Sequence, residues 1–246
     1  YYPIDVHQAI IQQLALSLDG HWLASADING VIHLYDLRSD DFNTIKASAR
    51  KLDGHSLALS GLVFSPSSHL LAASDISGNI SVWNLTLLEN NPDQFNASVL
   101  RFDQPGRVND IAFDLAYEGA SKQPEQYLFS ASADENVYAW SLRGEQHTRL
   151  TKTHHAPVSQ LALTRDETLN EYWLISADQN GQMVFWDLMR WESFGTGTLN
   201  SEFFYVDAGK QPVSALITNI TRDPLAEVSD KWRHLMVGIT DHHAQV

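Results

Sequence analysis

The chain alternates short apolar stretches with compact polar turns, and four segments share one hairpin-like pattern. In each, a short strand of small and apolar residues runs into a turn rich in Asp, Asn, Ser and Gly, and an alternating strand follows. Gly supplies the positive φ that such turns need, and short polar side chains hydrogen-bond to nearby backbone. The segments align without a gap and span residues 25–37, 73–85, 130–142 and 176–188.

A further short apolar strand precedes each hairpin, and a fifth partial copy follows the fourth. The aromatic positions 35, 83, 140 and 186 are separated by 48, 57 and 46 residues. The fifth copy runs through 213–217 and 235–241, and the chain stops at Val246 before its aromatic position. Strands recurring with a period of about 40–50 residues predict repeated four-stranded antiparallel sheets. The preceding strands are 14–16, 62–64, 111–113 and 161–163.

At these residues the chain resembles the WD-repeat (WD40) family of β-propellers. The family's His is matched by His7, His55 and His154, each four residues before the first apolar position of a strand. The resemblance implies an all-β propeller of four-stranded antiparallel blades at about 7–52, 53–102, 103–150 and 151–206, with an incomplete blade at 207–246. The residues that match the family's Trp-Asp pair are Tyr35-Asp36, Trp83-Asn84, Trp140-Ser141 and Trp186-Asp187.

The family often links that His to an Asp in the hairpin turn, to a strand Ser or Thr and to the Trp. On this alignment only the third copy has an acidic turn residue, Asp134, and that copy has Gln104 in place of the His. The resemblance therefore implies that no blade has the complete network. The residues at the turn position are Asn29, Ser77, Asp134 and Asn180.

The number of copies bears on how a ring could close. An open ring leaves sheet edges and apolar faces bare, and propellers usually have four to eight blades. The resemblance therefore predicts about seven blades in the intact protein, with a closed five-bladed ring as the alternative. The chain begins at Tyr1 without a Met, so we expect it to be a segment of a longer polypeptide.

Charge narrows the range of partners. Lys and Arg number 16 against 30 Asp and Glu, which gives a net charge of −14. Such a surface repels the phosphates of nucleic acids and the anionic headgroups of membranes. We therefore expect protein partners, or other domains of the same chain, and no nucleic acid or membrane. The absence of Cys excludes a disulfide framework and favours a cytoplasmic location.

Catalytic chemistry finds little support in the sequence. Adjacent histidines such as His154 and His155 point to opposite faces of a strand, which does not suit a metal site. The turn at Asp27 resembles the start of a calcium loop, but the twelfth residue is Arg38 rather than Glu. We therefore predict no catalytic residue, metal or cofactor. The alternative, a propeller-type hydrolase or lyase with its site in the central channel, conflicts with the almost wholly apolar inner strands.

The candidate binding residues lie on the face that in the family carries the turns between second and third strands. Ile28 and Ile76 occupy turn tips, where small polar residues are usual. They either pack against a neighbouring blade or form a binding patch. Arg107 is a further candidate for this binding face, because Arg is enriched at binding hot spots. The predicted top-face residues are Ile28, Ile76, Arg107, Asn109, Pro157, Gln160 and Gln179.

Long connections mark the opposite face, and long loops in compact domains are often functional. They carry Trp191, Phe194 and Trp232. Each aromatic side chain either anchors a partner or pins its own loop to the sheet. The sequence as a whole predicts a non-catalytic protein-interaction scaffold, or a sensor or recognition module.

Overall fold

In the computed structural model, the described residues form β-strands and two short α-helices. The prediction of an all-β fold built from four-stranded antiparallel sheets is confirmed. Within the described residues, no helix is both long and apolar enough to span a membrane. The described residues are 6–90, 95, 99–114, 127–143, 147–150, 154–166, 171–188, 205–207, 215–219, 235–240 and 243–245.

The described strands form five sheets, numbered here in sequence order. Sheet 1 contains β1 (Ile11–Leu16), β2 (Trp22–Asp27), β3 (Ile32–Asp36) and β4 (Arg50–Leu52). Sheet 2 contains β5 (Leu59–Phe64), β6 (Leu70–Asp75), β7 (Asn79–Asn84) and β8 (Leu100–Asp103). Sheet 3 contains β9 (Val108–Phe113), β10 (Tyr127–Ser132), β11 (Val137–Ser141) and β12 (His147–Arg149).

The last two sheets complete the described chain. Sheet 4 contains β13 (Val158–Asp166), β14 (Glu171–Asp178), β15 (Gln182–Asp187) and β16 (Tyr205–Asp207). Sheet 5 contains three strands, β17 (Ala215–Asn219), β18 (Leu235–Thr240) and β19 (His243–Gln245). The chain divides into two compact units, the first formed by residues 1–130 and 140–146 and the second by residues 131–139 and 147–246.

Two short helices lie in connections between third and fourth strands, and the sequence pattern did not predict them. Helix α1 (Phe42–Ala47) begins after Asp41, whose carboxylate accepts the backbone N–H groups of Asn43 and Thr44. A side-chain acceptor at this position satisfies donors that have no partner inside the helix. Helix α2 (Leu85–Asn90) continues directly from β7.

First strands pack beside one another within the first unit, β1 beside β5 and β5 beside β9. The approach of β5 to β9 is close, because a Cβ on Gly61 would lie 2.6 Å from Cγ1 of Ile111. Ile111 is buried at this contact, and Leu62 is buried in a core cluster shared with sheet 1, whereas Leu14, at the equivalent position of β1, is 66% exposed. The described surface therefore includes an uncovered apolar side of β1.

Candidate interaction face

A buried aspartate ends the second strand in three of the sheets and organises the turn that follows. In sheet 4, one carboxylate oxygen of Asp178 accepts the backbone N–H groups of Asn180 and Gln182, both at 2.9 Å. Asp27 and Asp75 hold their turns with the same pair of bonds. Each of the three aspartates is at most 3% exposed. The turns are therefore fixed by buried carboxylates and not by backbone pairing alone.

The second oxygen of each aspartate binds the histidine that precedes the sheet. In sheet 4, His154 Nδ1 lies 3.1 Å from Asp178, and His154 Nε2 lies 2.7 Å from Ser176 Oγ. Trp186 Nε1 donates to the same Ser176 hydroxyl at 2.9 Å. Because that hydroxyl accepts from the indole, its own proton points to Nε2, and the imidazole proton lies on Nδ1.

The sequence prediction that no sheet has the complete network is therefore wrong. Sheet 4 has all four members, and sheet 1 has His7, Asp27 and Ser25 with Tyr35 in the place of the Trp. The network aspartate lies two residues before the turn position that the sequence analysis used. Asp134, the acidic residue at that turn position, instead accepts a hydrogen bond from Tyr138 Oη at 2.6 Å.

In sheet 3, hydrogen bonds among Gln104, Ser130 and Trp140 take the place of those among His, Ser and Trp in sheet 4. Gln104 replaces the His, and its side-chain oxygen accepts the hydroxyl of Ser130. Trp140 Nε1 donates to Ser130 Oγ at 2.8 Å, as the equivalent Trp does in sheet 4. Gln104 is 3% exposed, so a neutral amide serves here as the buried acceptor.

Sheet 2 lacks one member of the network. Ala73 occupies the Ser position, and Nε2 of His55 and Nε1 of Trp83 are buried without a hydrogen-bond partner among the described residues. Burial lowers the pKa of His55, although the hydrogen bond to Asp75 opposes the shift. Burial similarly lowers the pKa of His154 against the opposing bond to Asp178. Both imidazoles are therefore mostly neutral at pH 7.

We expect the substitution Ala73→Ser to stabilise the chain by about 1 kcal/mol, since the hydroxyl can accept from Trp83 and donate to His55. Urea unfolding followed by circular dichroism measures the change. The matched control is Ala72→Ser, because Ala72 is equally buried and its side chain lies on the opposite face of the strand. The control is expected to lose stability. An equal change in both variants would contradict the network.

The tips of these turns form a row of exposed apolar side chains in the first unit. Ile28 and Ile76 are 42% and 40% exposed, and each donates its backbone N–H to the loop before a first strand. The acceptors are the carbonyls of Ile10 and Ala58, at 3.0 and 3.3 Å. The tip backbone is thus held from two sides while its side chain faces solvent.

Glycines bring the neighbouring loops against the turns. Gly30 has a φ of +78°, and a Cβ there would overlap the backbone of Leu57, which is itself 42% exposed. Gly78 packs in the same way against the backbone of Gln104 and Gly106, directly before the exposed Arg107. We call these neighbouring exposed residues the turn row; its members are Ile10, Ile28, Leu57, Ile76 and Arg107.

The turn row includes three of the predicted top-face residues and two that sequence reasoning missed. Asn109 is half-buried and lies within β9. Ile10 and Leu57 were missed because they precede first strands and look like strand residues. An apolar residue one or two positions before a first strand, at the level of a turn tip, is the signal that would have found them.

In the second unit, a turn tip is also held by the loop before a first strand. Gln179 occupies the tip position, is exposed, and donates its backbone N–H to the carbonyl of Pro157 at 3.0 Å. Pro157 and Gln160 are half-buried. The predicted residues on long connections lie outside the described residues: Trp191, Phe194 and Trp232.

In sheet 1, the second member of the Trp-Asp pair forms an ion pair outside the network. Asp36 forms a two-pronged pair with Arg38, with a shortest distance of 2.6 Å. Hydrogen bonds from Arg38 hold the pKa of Asp36 below its ordinary value. Asp187 is half-buried at the end of β15. Across the described residues, no group of three or more His, Asp or Glu side chains is arranged to hold a metal ion.

Repeated antiparallel four-stranded sheets with packed first strands are the blades of a β-propeller. The family model for the WD domain, G-beta repeat (WD40), matches residues 2–36 and 46–84. Residues 2–36 and 46–84 are therefore WD40 repeats, and the sheets are β-propeller blades. A search of the curated proteins found no match.

Two solved structures show a similar fold. One is the β-propeller domain of Cps50 (Swd1) from Myceliophteria thermophila, 14% identical with a TM-score of 0.61, where 86% of this chain covers 59% of that one. The other is the computationally designed protein Ika8, 18% identical with a TM-score of 0.60, where 87% of this chain covers 54% of that one. The chain thus spans less than two thirds of either structure.

Proposed function

We propose that this chain is a non-catalytic protein-interaction module and that the turn row binds a protein partner. The observation that carries the proposal is the exposure of four large apolar side chains at neighbouring loops and turns of the first unit. Their exposed fractions are 72% for Ile10, 42% for Ile28, 42% for Leu57 and 40% for Ile76. Contiguous apolar surface of this kind marks interaction sites in soluble proteins.

The rigidity of the turns supports the same function. Asp27 and Asp75 hold the backbone on which Ile28 and Ile76 stand, so these side chains are already positioned before a partner arrives. Binding to a preformed surface costs less conformational entropy than ordering a loop. Arg107 adds a cation at the end of the row, and Arg is enriched at interface hot spots.

The choice of partner follows from charge. A net charge of −14 disfavours nucleic acid and anionic membrane surfaces, so the partner is a protein or another domain of the same polypeptide, in the cytoplasm. The channel hydrolase or lyase needs converging carboxylates and imidazoles. The described imidazoles His7, His55 and His154 are instead bound to aspartates that hold turns.

The test is a triple variant, Ile28→Asn/Ile76→Asn/Arg107→Gln. Proteins that co-purify with the full-length polypeptide from its native cell are identified first, and the affinity of the purified partner is then measured for each variant. We expect the triple variant to bind about tenfold or more weakly, with thermal unfolding nearly unchanged.

The matched control is Leu18→Asn/Leu100→Asn/Arg101→Gln, which removes two exposed apolar side chains and one exposed Arg elsewhere. It is expected to keep full affinity. Equal loss in both variants would assign the effect to general surface chemistry. A drop in the unfolding temperature of the first variant alone would mark Ile28 and Ile76 as packing residues instead.

A further inference from the structure

A cleft of about 590 Å³ lies at the other end of sheet 1 from the turn row. Trp22 begins β2, Asp36 ends β3 and Arg50 begins β4, so these residues lie away from the turn at Asp27. Helix α2 of the next sheet contributes Leu88. We call this the Arg50 cleft; its main lining residues are Trp22, Asp36, Arg38, Arg50, Lys51 and Leu88.

Positive charge is concentrated around this cleft in an otherwise acidic chain. Residues 38–51 contain four of the 16 Lys and Arg residues, against two acidic residues. Three of those cations line the cleft, and Asp36 is the carboxylate among its lining residues. With the net charge of the chain at −14, the cleft stands out from its surroundings as an attractive site for anions.

The cations differ in whether they already have a counter-ion. Arg38 is paired with Asp36 and lies 5.2 Å above the ring of Trp22, which fixes its position. The side chains of Arg50 and Lys51 have no hydrogen bond or ion pair with the described residues. Arg50 lies 5.9 Å above the ring of Phe95 and is half-buried, while Lys51 is exposed.

A half-buried guanidinium without an anion is unfavourable, and its five donors match carboxylate geometry in a two-pronged pair. The volume of the cleft falls in the range of about 300–1,000 Å³ that holds ligands much larger than a single anion. The apolar side chains of Trp22 and Leu88 line the same space. Charge complementarity and size together favour a short acidic peptide over a free ion.

We propose that the Arg50 cleft binds an acidic peptide segment of a protein partner, with Arg50 and Lys51 paired to its carboxylates. This surface is separate from the turn row and does not depend on the function proposed for it. Asp36 pairs with Arg38 and holds it against Trp22. The carboxylate of Asp36 is therefore already engaged, and Arg50 and Lys51 are the cations that pair with the ligand.

Fluorescence anisotropy with the full chain tests the proposal. The probe is a labelled hexapeptide of alternating Glu and Asp, and a Gln-Asn hexapeptide is its neutral counterpart. We expect saturable binding of the acidic probe, weakened about tenfold by Arg50→Gln/Lys51→Gln. Binding is also expected to weaken as NaCl rises from about 50 to about 500 mM, because salt screens exposed charges.

The charge-matched control is Arg101→Gln/Arg143→Gln, two exposed arginines outside the cleft and outside the turn row. It is expected to bind the acidic probe as the wild type does. Equal weakening in the control overturns the proposal and indicates binding through general charge. Equal binding of the neutral peptide overturns it as well.

Two further results separate the remaining possibilities. If inorganic phosphate protects Arg50 and Lys51 from chemical modification while the acidic peptide does not bind, the cleft is a site for small anions and the proposal is wrong. If Arg50→Gln/Lys51→Gln loses folded structure, the single variant Lys51→Glu replaces it, because Lys51 is exposed. Unchanged affinity of Lys51→Glu for the acidic probe also overturns the proposal.

Discussion

Replacing Trp186 with Ala is expected to lower the free energy of unfolding by about 3–5 kcal/mol, the usual cost of truncating a large buried aromatic residue. Trp186 is 1% exposed and pairs with Leu174 of the neighbouring strand. The substitution removes the packing of the indole ring and its hydrogen bond to Ser176. Urea unfolding followed by far-ultraviolet circular dichroism measures the loss without depending on tryptophan fluorescence.

Trp186→Phe and Trp83→Phe form a matched pair that separates packing from hydrogen bonding. Both keep an aromatic ring and remove the indole N–H. Trp186 uses that N–H to bind Ser176, whereas Trp83 has no partner for it among the described residues. Trp186→Phe is therefore expected to cost about 1 kcal/mol more than Trp83→Phe. Equal costs would show that the bond contributes no net stability.

The hairpins were predictable because the sequence pattern that specifies each hairpin lies within a short continuous segment. A strand, a turn containing Gly and an alternating strand occupy about a dozen consecutive residues, and positive φ at Gly30 and Gly78 confirms the role of the glycines. Four copies at a regular spacing then predict repeated antiparallel sheets. The prediction of exposed candidates at Ile28 and Ile76 rests on the same local turn geometry.

The hydrogen-bond network was misassigned because it joins residues far apart in sequence. His7 and Asp27 are 20 residues apart, and His154 and Asp178 are 24 apart. The sequence shows an Asp at the end of a strand, but not that its two oxygens serve different partners. The substitution of Gln104 for a His follows the same logic, since an amide oxygen also accepts a hydrogen bond.

The helices and the Arg50 cleft were missed for related reasons. Helix α1 contains six residues, too few for a helical period to be visible, although Asp41 is a good N-terminal cap. The cleft is formed by the end of one strand, the beginning of another and a helix from the next sheet. Its unpaired cations are visible only once those elements are placed together.

The substitution Asp178→Ala tests the network at its most connected residue, with an expected loss of about 3 kcal/mol of stability. It leaves Nδ1 of His154 and the backbone N–H groups of Asn180 and Gln182 without their acceptor. Because burial keeps the imidazole neutral, the cost is that of unpaired buried donors. Asp178→Asn retains one acceptor oxygen and is expected to recover part of the loss in urea unfolding.

Asp134→Ala is the matched control, since Asp134 also holds a turn but binds Asn136 and Tyr138. Its expected cost is about 1 kcal/mol, because Asp134 is half-buried whereas Asp178 is 1% exposed. A similar cost for Asp134→Ala and Asp178→Ala would mean that holding the turn, and not the bond to His154, accounts for the stability. A larger cost for Asp178→Ala means that the buried imidazole and the turn are stabilised by one carboxylate.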